Sequence, residues 1–563
     1  MTVRTVTGGH TTRLRGLLAT LLVLISHSGG CSSQIDATDR PNILLIVADD
    51  LGYTDIGPFG GEIETPNLDE LAKSGTLLTN FYAAPTCSPA RAMLLTGVDS
   101  HRAGLGTMAE RRTEVHEGIP GYEGYISDKV LTIAEWLQQA GYRTYMTGKW
   151  HLGLTPETNP ASRGFDRSFA LLNGAAFHLS DKPYADPELT GKYKADYTED
   201  GLVAEVPAGF YSTQFFAERL IQYIDEDRDQ HEPFFAYLAF TAPHFPLQAP
   251  RSSIAKYAGH YDDGFEVAYA NRLKRMVNLE LVSTADDFPQ PKWRANWASL
   301  SEDEQEVEAR RMEIYAAMID DMDRYIGRVT DYLKEIGEYK RTLILFMSDN
   351  GVEGRNVAAS IRSLGTWPDR CCAHDLESFG TDNSYVWLGP NWGIVSSGPL
   401  RDQKGSTFEG GIRVPAIVSY AGGNLAISTS REFITIRDVL PTILDVAVEG
   451  GRSPLIVDTN HYGPDGKSIV PYLRGEEISV HGLDYVAAWE LSGRGAVRRG
   501  EWNLVRNWEP PDKGRWTLYD LREDPWEQND LSGERPDIFN ELIEHWEAYR
   551  ESNGVYVVDG LLQ

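Results

Sequence analysis

From residue 41 onward, apolar runs of strand length alternate with amphipathic helical stretches, a pattern that buries both element types best as strands of one sheet with crossover helices on its faces. This predicts an α/β domain with a mostly parallel central sheet flanked by helices. The first strand falls over 42–48, followed by a short helix with Thr65 as N-cap, Pro66 at its first position and Gly75 as its stop. A second helix starts after Thr132, whose capping-box partner is Glu135, buries Ile133, Trp136 and Leu137, and ends at Gly141. Further strands are expected over 143–146, 234–240 and 342–347. A long helix ahead of the last carries Tyr315, Met318, Met322, Ile326, Val329 and Leu333 on one stripe, which reads as core.

The pattern changes near Gly475. Residues 485–489, 495–498 and 502–506 read as short antiparallel strands, and a final helix puts Phe539, Leu542, Ile543, Trp546 and Tyr549 on one face. The 563 residues exceed the ~250–300 at which one hydrophobic core stops growing. The expected organisation is a large domain over 40–475 and a smaller one over 476–563, an antiparallel sheet with one packing helix.

With 53 basic against 82 acidic residues the net charge is -29, which argues against a nucleic-acid partner and against adsorption to anionic membranes. An anionic substrate would then need a local positive field, so basic residues beside carboxylates become informative. At the N-terminus, Arg4, Arg13 and Arg15 stand without an acid before an apolar run over 17–25 and the small residues Ser28, Gly29 and Gly30. Residues 1–31 are therefore expected to be an export signal, because the run falls short of the ~20 residues of a spanning helix. Cys31 follows directly, where a bacterial lipoprotein carries its lipid; ordinary cleavage nearby is the alternative. Membrane contact is expected only through that anchor, and the location is periplasmic or on the cell envelope.

Cys87, Cys371 and Cys372 cannot build a disulfide framework. The adjacent pair reads as two plain thiols or a strained vicinal bridge, has no zinc spacing, and receives no function.

Several predicted strands run into polar residues of catalytic type, and ligands of open α/β sheets gather beyond the carboxyl ends of strands. Asp49 and Asp50 follow the first strand, Thr241 to His244 the third, and Ser348 to Gly351 the fourth. Asp49, Asp50, Asp349 and Asn350 supply hard oxygen donors suited to calcium or magnesium; capping of the following turns is the bland reading. Cys87 heads a helical segment, where amides and the helix dipole favour an anion, with Arg91 one turn along the same face. Taken alone, such a cysteine is more often a small buried hydrophobe.

Cys87, Pro89 and Arg91, completed by Leu95, Thr96 and Gly97, together with the run from Thr147 to Gly153, resemble the two signatures of the formylglycine-dependent (type I) sulfatases of the alkaline-phosphatase superfamily. Residues 243–250 and 408–415 place the resemblance closest to bacterial arylsulfatases, and Tyr519, Asp520, Leu521, Asp524 and Pro525 extend it towards the C-terminus. The resemblance implies an alkaline-phosphatase-like fold, a small sulfate-ester substrate, aryl sulfate first, and a formylglycine-generating or sulfatase-maturating enzyme as partner. It implies one calcium ion on Asp49, Asp50, Asp349 and Asn350, completed by the modified Cys87. Formylglycine would hydrate to a geminal diol, one hydroxyl attacking sulfur with Asp349 as base to give a covalent sulfate on residue 87. His244 or Lys404 would protonate the leaving oxygen, Lys404 being placed through the run from Glu409 to Pro415. The second hydroxyl would lose its proton to His151, while Arg91 and Lys149 hold the diol.

The nearest rival is a phosphonate or phosphate mono- or diesterase of the same superfamily. Those enzymes typically present Asp-His at the second metal strand, which suits a transition metal, whereas Asp349 and Asn350 offer only oxygen. A non-catalytic binder of sulfated glycans would show losses among the site residues, and the sequence shows none.

Overall fold

The computed structural model describes residues 40–283, 288, 290–361, 364–448, 460–507 and 514–556. The expected export signal and Cys31 lie outside these residues. The strands are β1 (Asn42–Ala48), β2 (Thr76–Tyr82), β3 (Arg143–Lys149), β4 (Arg167–Leu171), β5 (Tyr197–Glu199), β6 (Leu202–Val203), β7 (Phe234–Ala239), β8 (Thr342–Ser348), β9 (Arg413–Ser419), β10 (Thr429–Ser430) and β11 (Ile434–Thr435). They form one sheet in the order β10-β2-β9-β8-β1-β7-β3-β4-β5-β6, with β11 beside β2. The centre, β8-β1-β7-β3-β4, is wholly parallel, while β9 and β5 turn the flanks antiparallel.

The apolar run of β1 follows from burial on both faces. Leu44 and Ile46 join one core cluster, whereas Ile43, Leu45 and Val47 join the other. Of the helices, α1 (Pro66–Ser74), α4 (Ser212–Glu226) and α5 (Glu302–Glu335) cover the first face; α2 (Cys87–Thr96) and α3 (Ile133–Gln139) cover the second. The expected stripe of α5 is buried throughout, and Ser301 with Glu304 closes its N-terminus as a capping box. Thr132 and Glu135 do the same for α3.

Some local expectations change. Thr65 precedes α1 but does not cap it: its hydroxyl accepts the Gly57 amide at 2.9 Å and faces Asp69. Strand β3 runs three residues beyond the expected 146, because Thr147, Gly148 and Lys149 keep pairing with Phe169, Ala170 and Leu171. Gly148 is required there, since a Cβ would stand 1.8 Å from the Ala239 carbonyl oxygen and φ is +111°. Cys371 and Cys372 are bridged to each other, so the bond closes no loop.

A second, antiparallel sheet comprises β12 (Val486–Leu491), β13 (Arg494–Arg499), β14 (Trp502–Arg506) and β15 (Trp516–Asp520), covered by α6 (Pro536–Asn553) through Leu542 and Trp546. Its other face, through Ala487, Trp489, Ala496, Val505 and Tyr519, shares an apolar cluster with the first sheet, and polar bonds to flanking loops add to this. Trp489 donates Nε1–H to the Ala83 carbonyl at 2.8 Å, and Thr407 donates to that of Gly495 at 3.0 Å.

Candidate active site

Because β8, β1, β7 and β3 are parallel neighbours, the residues leaving their carboxyl ends meet at one edge of the sheet. These are Asp349 and Asn350, Asp49 and Asp50, Thr241 to His244, and Lys149 to His151. The turns are locked to one another: the amide of Asp49 donates to Ala242, that of Asp50 to Asp349 Oδ1 at 3.3 Å, and that of Leu51 to Ser348 Oγ at 3.0 Å. Asp50 and His151 are held at φ of +65° and +57°, a left-handed backbone that costs non-glycine residues about 1 kcal/mol or more and clusters at working sites.

Cys87 is the first residue of α2 and is buried. Its Sγ lies 3.5 Å from Asp49 Oδ1, 3.9 Å from Asp50 Oδ1 and 3.2 Å from Lys404 Nζ. Burial pushes the free thiol up to about 12 although Lys149 and Lys404 pull the other way, so unmodified Cys87 carries its proton at neutral pH. Lys404 also donates to Asp50 Oδ1 at 2.6 Å. Lys149 straddles both oxygens of Asp49, at 2.9 and 2.7 Å. Arg91 donates through Nε to Asp349 Oδ2 at 2.9 Å and through Nη1 to the Lys149 carbonyl at 3.0 Å. Arg91 thus braces a carboxylate and a strand end.

Burial opposes the charge of Asp50, but Lys404, His244 and Lys149 outweigh it and hold its carboxyl well below the usual range. Asp349 moves upward, because burial exceeds the pull of Arg91. His244 Nδ1 is 2.6 Å from the Phe245 carbonyl, which can only accept, so Nδ1 carries the hydrogen and Nε2, 3.5 Å from Asp50 Oδ2, faces the centre. Burial lowers the His244 pKa to about 3. His151 Nε2 is 3.2 Å from Glu110 Oε2, and its Nδ1 is buried without a partner.

Asp50 Oδ2 and Asn350 Oδ1 are likewise buried without a hydrogen-bond partner. Orphaned oxygens of that kind cost free energy unless a cation or donor meets them. Asp49, Asp50, Cys87 and His244 bring ligand atoms within 4.8 Å of one another, with Asp349 and Asn350 beside them. The donors fit a divalent cation, and their weight of oxygen fits a hard one.

The sulfatase family profile matches residues 41–449, which take in the whole strand-end cluster. The chain belongs to the sulfatase family. It is 44% identical over 529 residues to an uncharacterised sulfatase of Schizosaccharomyces pombe, spanning 92% of this chain and 94% of that one. Against the arylsulfatase of Klebsiella aerogenes the identity is 36% over 436 residues, or 76% and 91% of the two chains. Among solved structures, Ps i-CgsB in complex with k-i-k-neocarrahexaose is similar at a TM-score of 0.65 and 26% identity, over 91% of this chain and 93% of that one. The fold of this sulfatase is alkaline-phosphatase-like, and its activity is sulfuric ester hydrolysis.

Sequence reasoning missed several residues of the sulfatase site. Glu110 lies in a stretch without periodicity, and nothing local links it to His151. Tyr237, whose hydroxyl is 3.4 Å from Arg91 Nη1, carried a usable signal, a polar-tipped side chain inside an apolar strand. Tyr184, Glu353 and Arg355 come from loops whose positions only the tertiary fold defines.

Proposed function

We propose that this sulfatase hydrolyses aryl sulfates to a phenol and inorganic sulfate outside the cytoplasm, with formylglycine at residue 87 and one calcium ion. The observation that carries the reading is the position of Cys87: at the head of α2, with Asp49, Asp50 and Lys404 converging on its Sγ. Asp49, Asp50, Asp349 and Asn350 would hold calcium, which supplies positive charge to sulfate oxygens. The hydrated aldehyde would supply two hydroxyls on one carbon, one to displace the phenol at sulfur and one whose deprotonation expels sulfate.

The remaining roles follow from the chain's own geometry. Arg91 fixes Asp349 as a proton acceptor, and Lys149 cancels the charge of Asp49 beside an anionic substrate. Lys404 has protons to give beside residue 87, whereas His244 presents an unprotonated Nε2, which favours Lys404 as the acid for the leaving oxygen. His151 takes the proton of the second hydroxyl, with Glu110 stabilising the imidazolium. The aryl preference is supported by the similarity to the Klebsiella aerogenes arylsulfatase; Phe245, stacked on His244 at 4.2 Å, packs with Phe177, Trp367 and Tyr385 in a buried aromatic cluster that holds this imidazole in place. Export through residues 1–31, with a lipid anchor at Cys31, would bring the enzyme to its substrate.

The test pairs chemistry with turnover. In enzyme coexpressed with a formylglycine-generating enzyme, mass spectrometry of the peptide containing residue 87 should show the aldehyde, and 4-nitrophenyl sulfate should be turned over far faster than its phosphate twin. Cys87→Ala should lose at least about a thousandfold in kcat while unfolding at nearly the same temperature. Intact thiol in active enzyme, or dominance of the phosphate, would refute the reading and favour the phosphoesterase alternative.

A further inference from the structure

Lys404 stands on a loop, and a loop places a long side chain only as well as it is itself held. The chain turns through left-handed backbone at Asp402 and Gly405, with φ of +68° and +85°, and closes where the Gly410 amide donates to the Arg401 carbonyl at 2.8 Å. From the loops of the first sheet it is held by its own amides, Lys404 donating to the Val352 carbonyl at 3.0 Å and Gly405 to that of Pro85 at 2.7 Å. The second sheet adds a grip of its own. Arg401 Nη1 donates to the Tyr519 hydroxyl at 2.8 Å and to the Glu527 carbonyl at 2.7 Å, and the Glu409 amide donates to Glu527 Oε2 at 3.0 Å. The bond from Thr407 to Gly495 lies between them.

Asn507, just past β14 and buried, reaches both flanks of the lysine. Its Nδ2 donates to Asp402 Oδ2 at 3.0 Å and lies 3.4 Å from Ser406 Oγ, two residues before Lys404 and two after it. Arg494 of β13 sets the orientation of this amide: its Nε donates to Asn507 Oδ1 at 2.9 Å, which turns Nδ2 towards the loop. The consequence falls at the far end of the lysine, where Nζ is 2.6 Å from Asp50 Oδ1 and 3.2 Å from Cys87 Sγ. A four-carbon stem is flexible, so the ammonium is placed by the backbone that carries it, and a misplacement of about 1 Å can cost about a hundredfold in rate.

We infer that Asn507 is a positioning residue for the leaving-group acid: by clamping Asp402 and Ser406 it holds the Lys404 loop so that the ammonium meets residue 87. The inference rests on the assignment of Lys404 as that acid under the sulfate-ester reading above, and it makes the second sheet a participant in turnover through the loop it grips.

The test compares kcat/KM for phenyl sulfate and 4-nitrophenyl sulfate, a split that a general loss of folded enzyme would not produce. Asn507→Asp keeps an acceptor for Arg494 but sets a carboxylate against Asp402. It should lose about tenfold on phenyl sulfate and about twofold on 4-nitrophenyl sulfate, because the poorer leaving group needs the proton more. Adding Asp402→Asn restores a donor and acceptor pair and should recover most of the loss, whereas in a Lys404→Ala background Asn507→Asp should cost little further. An equal loss on both substrates, no loss on either, or a swapped pair without recovery overturns the inference. A Lys404→Ala loss that is itself equal on the two substrates sinks the acid reading instead. Should Asn507→Asp fail to fold, Thr407→Val, which removes the bond to Gly495, is read by the same split, and an unbiased loss or none overturns the clamp.

Discussion

A buried imidazole joins the loop after α2 to the second sheet and makes a quantitative prediction. His101, just beyond α2, places Nδ1 2.9 Å from Asp99 Oδ1 and Nε2 3.0 Å from Glu490 Oε2 on β12, with no side-chain exposure. Tyr549 of α6 donates to the other oxygen of Asp99 at 3.0 Å, the Tyr122 and Tyr549 rings pack on the imidazole, and Arg437 adds positive charge nearby. Burial alone would lower the His101 pKa, but the bonds to Asp99 and Glu490 outweigh it and raise the value from 6.5 to about 9. A folded-state pKa above the unfolded one contributes stability that is complete below the unfolded pKa and is lost as pH rises through the folded one. The displacement from 6.5 to about 9 corresponds to about 3 kcal/mol, shared with Asp99, whose pKa moves down, and lost between those two pH values. Glu490→Gln keeps an acceptor for the Gly493 amide, now 2.6 Å from Oε1, yet removes one of the two charges. Guanidinium unfolding across that window, in excess calcium, should show wild type losing about 3 kcal/mol and the variant about half as much. Parallel pH profiles for the two proteins would refute the argument.

Two other outcomes test the centre directly. Asp50→Asn should weaken calcium binding to metal-stripped enzyme by about tenfold to a hundredfold, read by titration calorimetry, with turnover partly restored by excess calcium; unchanged affinity would remove Asp50 from the ligand set. Lys404→Ala should cost about a hundredfold in kcat/KM for phenyl sulfate and far less for 4-nitrophenyl sulfate, since a good leaving group needs little proton donation; an equal loss on both would return the acid role to His244.

The fold was legible where physics is local. Apolar runs bounded by caps located β1, α3 and α5 closely, because burial on both sheet faces and capping boxes are written in neighbouring residues. The end of β3 was not, since its extension to Lys149 depends on a partner strand and on a glycine whose missing Cβ lets the Ala239 carbonyl approach. The core of the site was legible for a related reason. A parallel sheet turns sequence-distant strand ends into neighbours, so Asp49, His244 and Asp349 could be grouped once their strands were recognised.

What the sequence hid are the contacts that decide roles. Spacing puts Arg91 on the face of Cys87, yet its guanidinium is spent on Asp349 and the Lys149 carbonyl. Lys149 is likewise committed to Asp49, while Lys404 divides its protons between Asp50 Oδ1 at 2.6 Å and Cys87 Sγ at 3.2 Å. The same logic separates the two histidines. A backbone carbonyl fixes the tautomer of His244, whereas a carboxylate from a loop with no periodic signal faces His151, where it offsets part of the burial that opposes protonation of that imidazole. Residue type and strand position gather the groups, and the second partner of each side chain distinguishes those locked in a brace from those left facing residue 87.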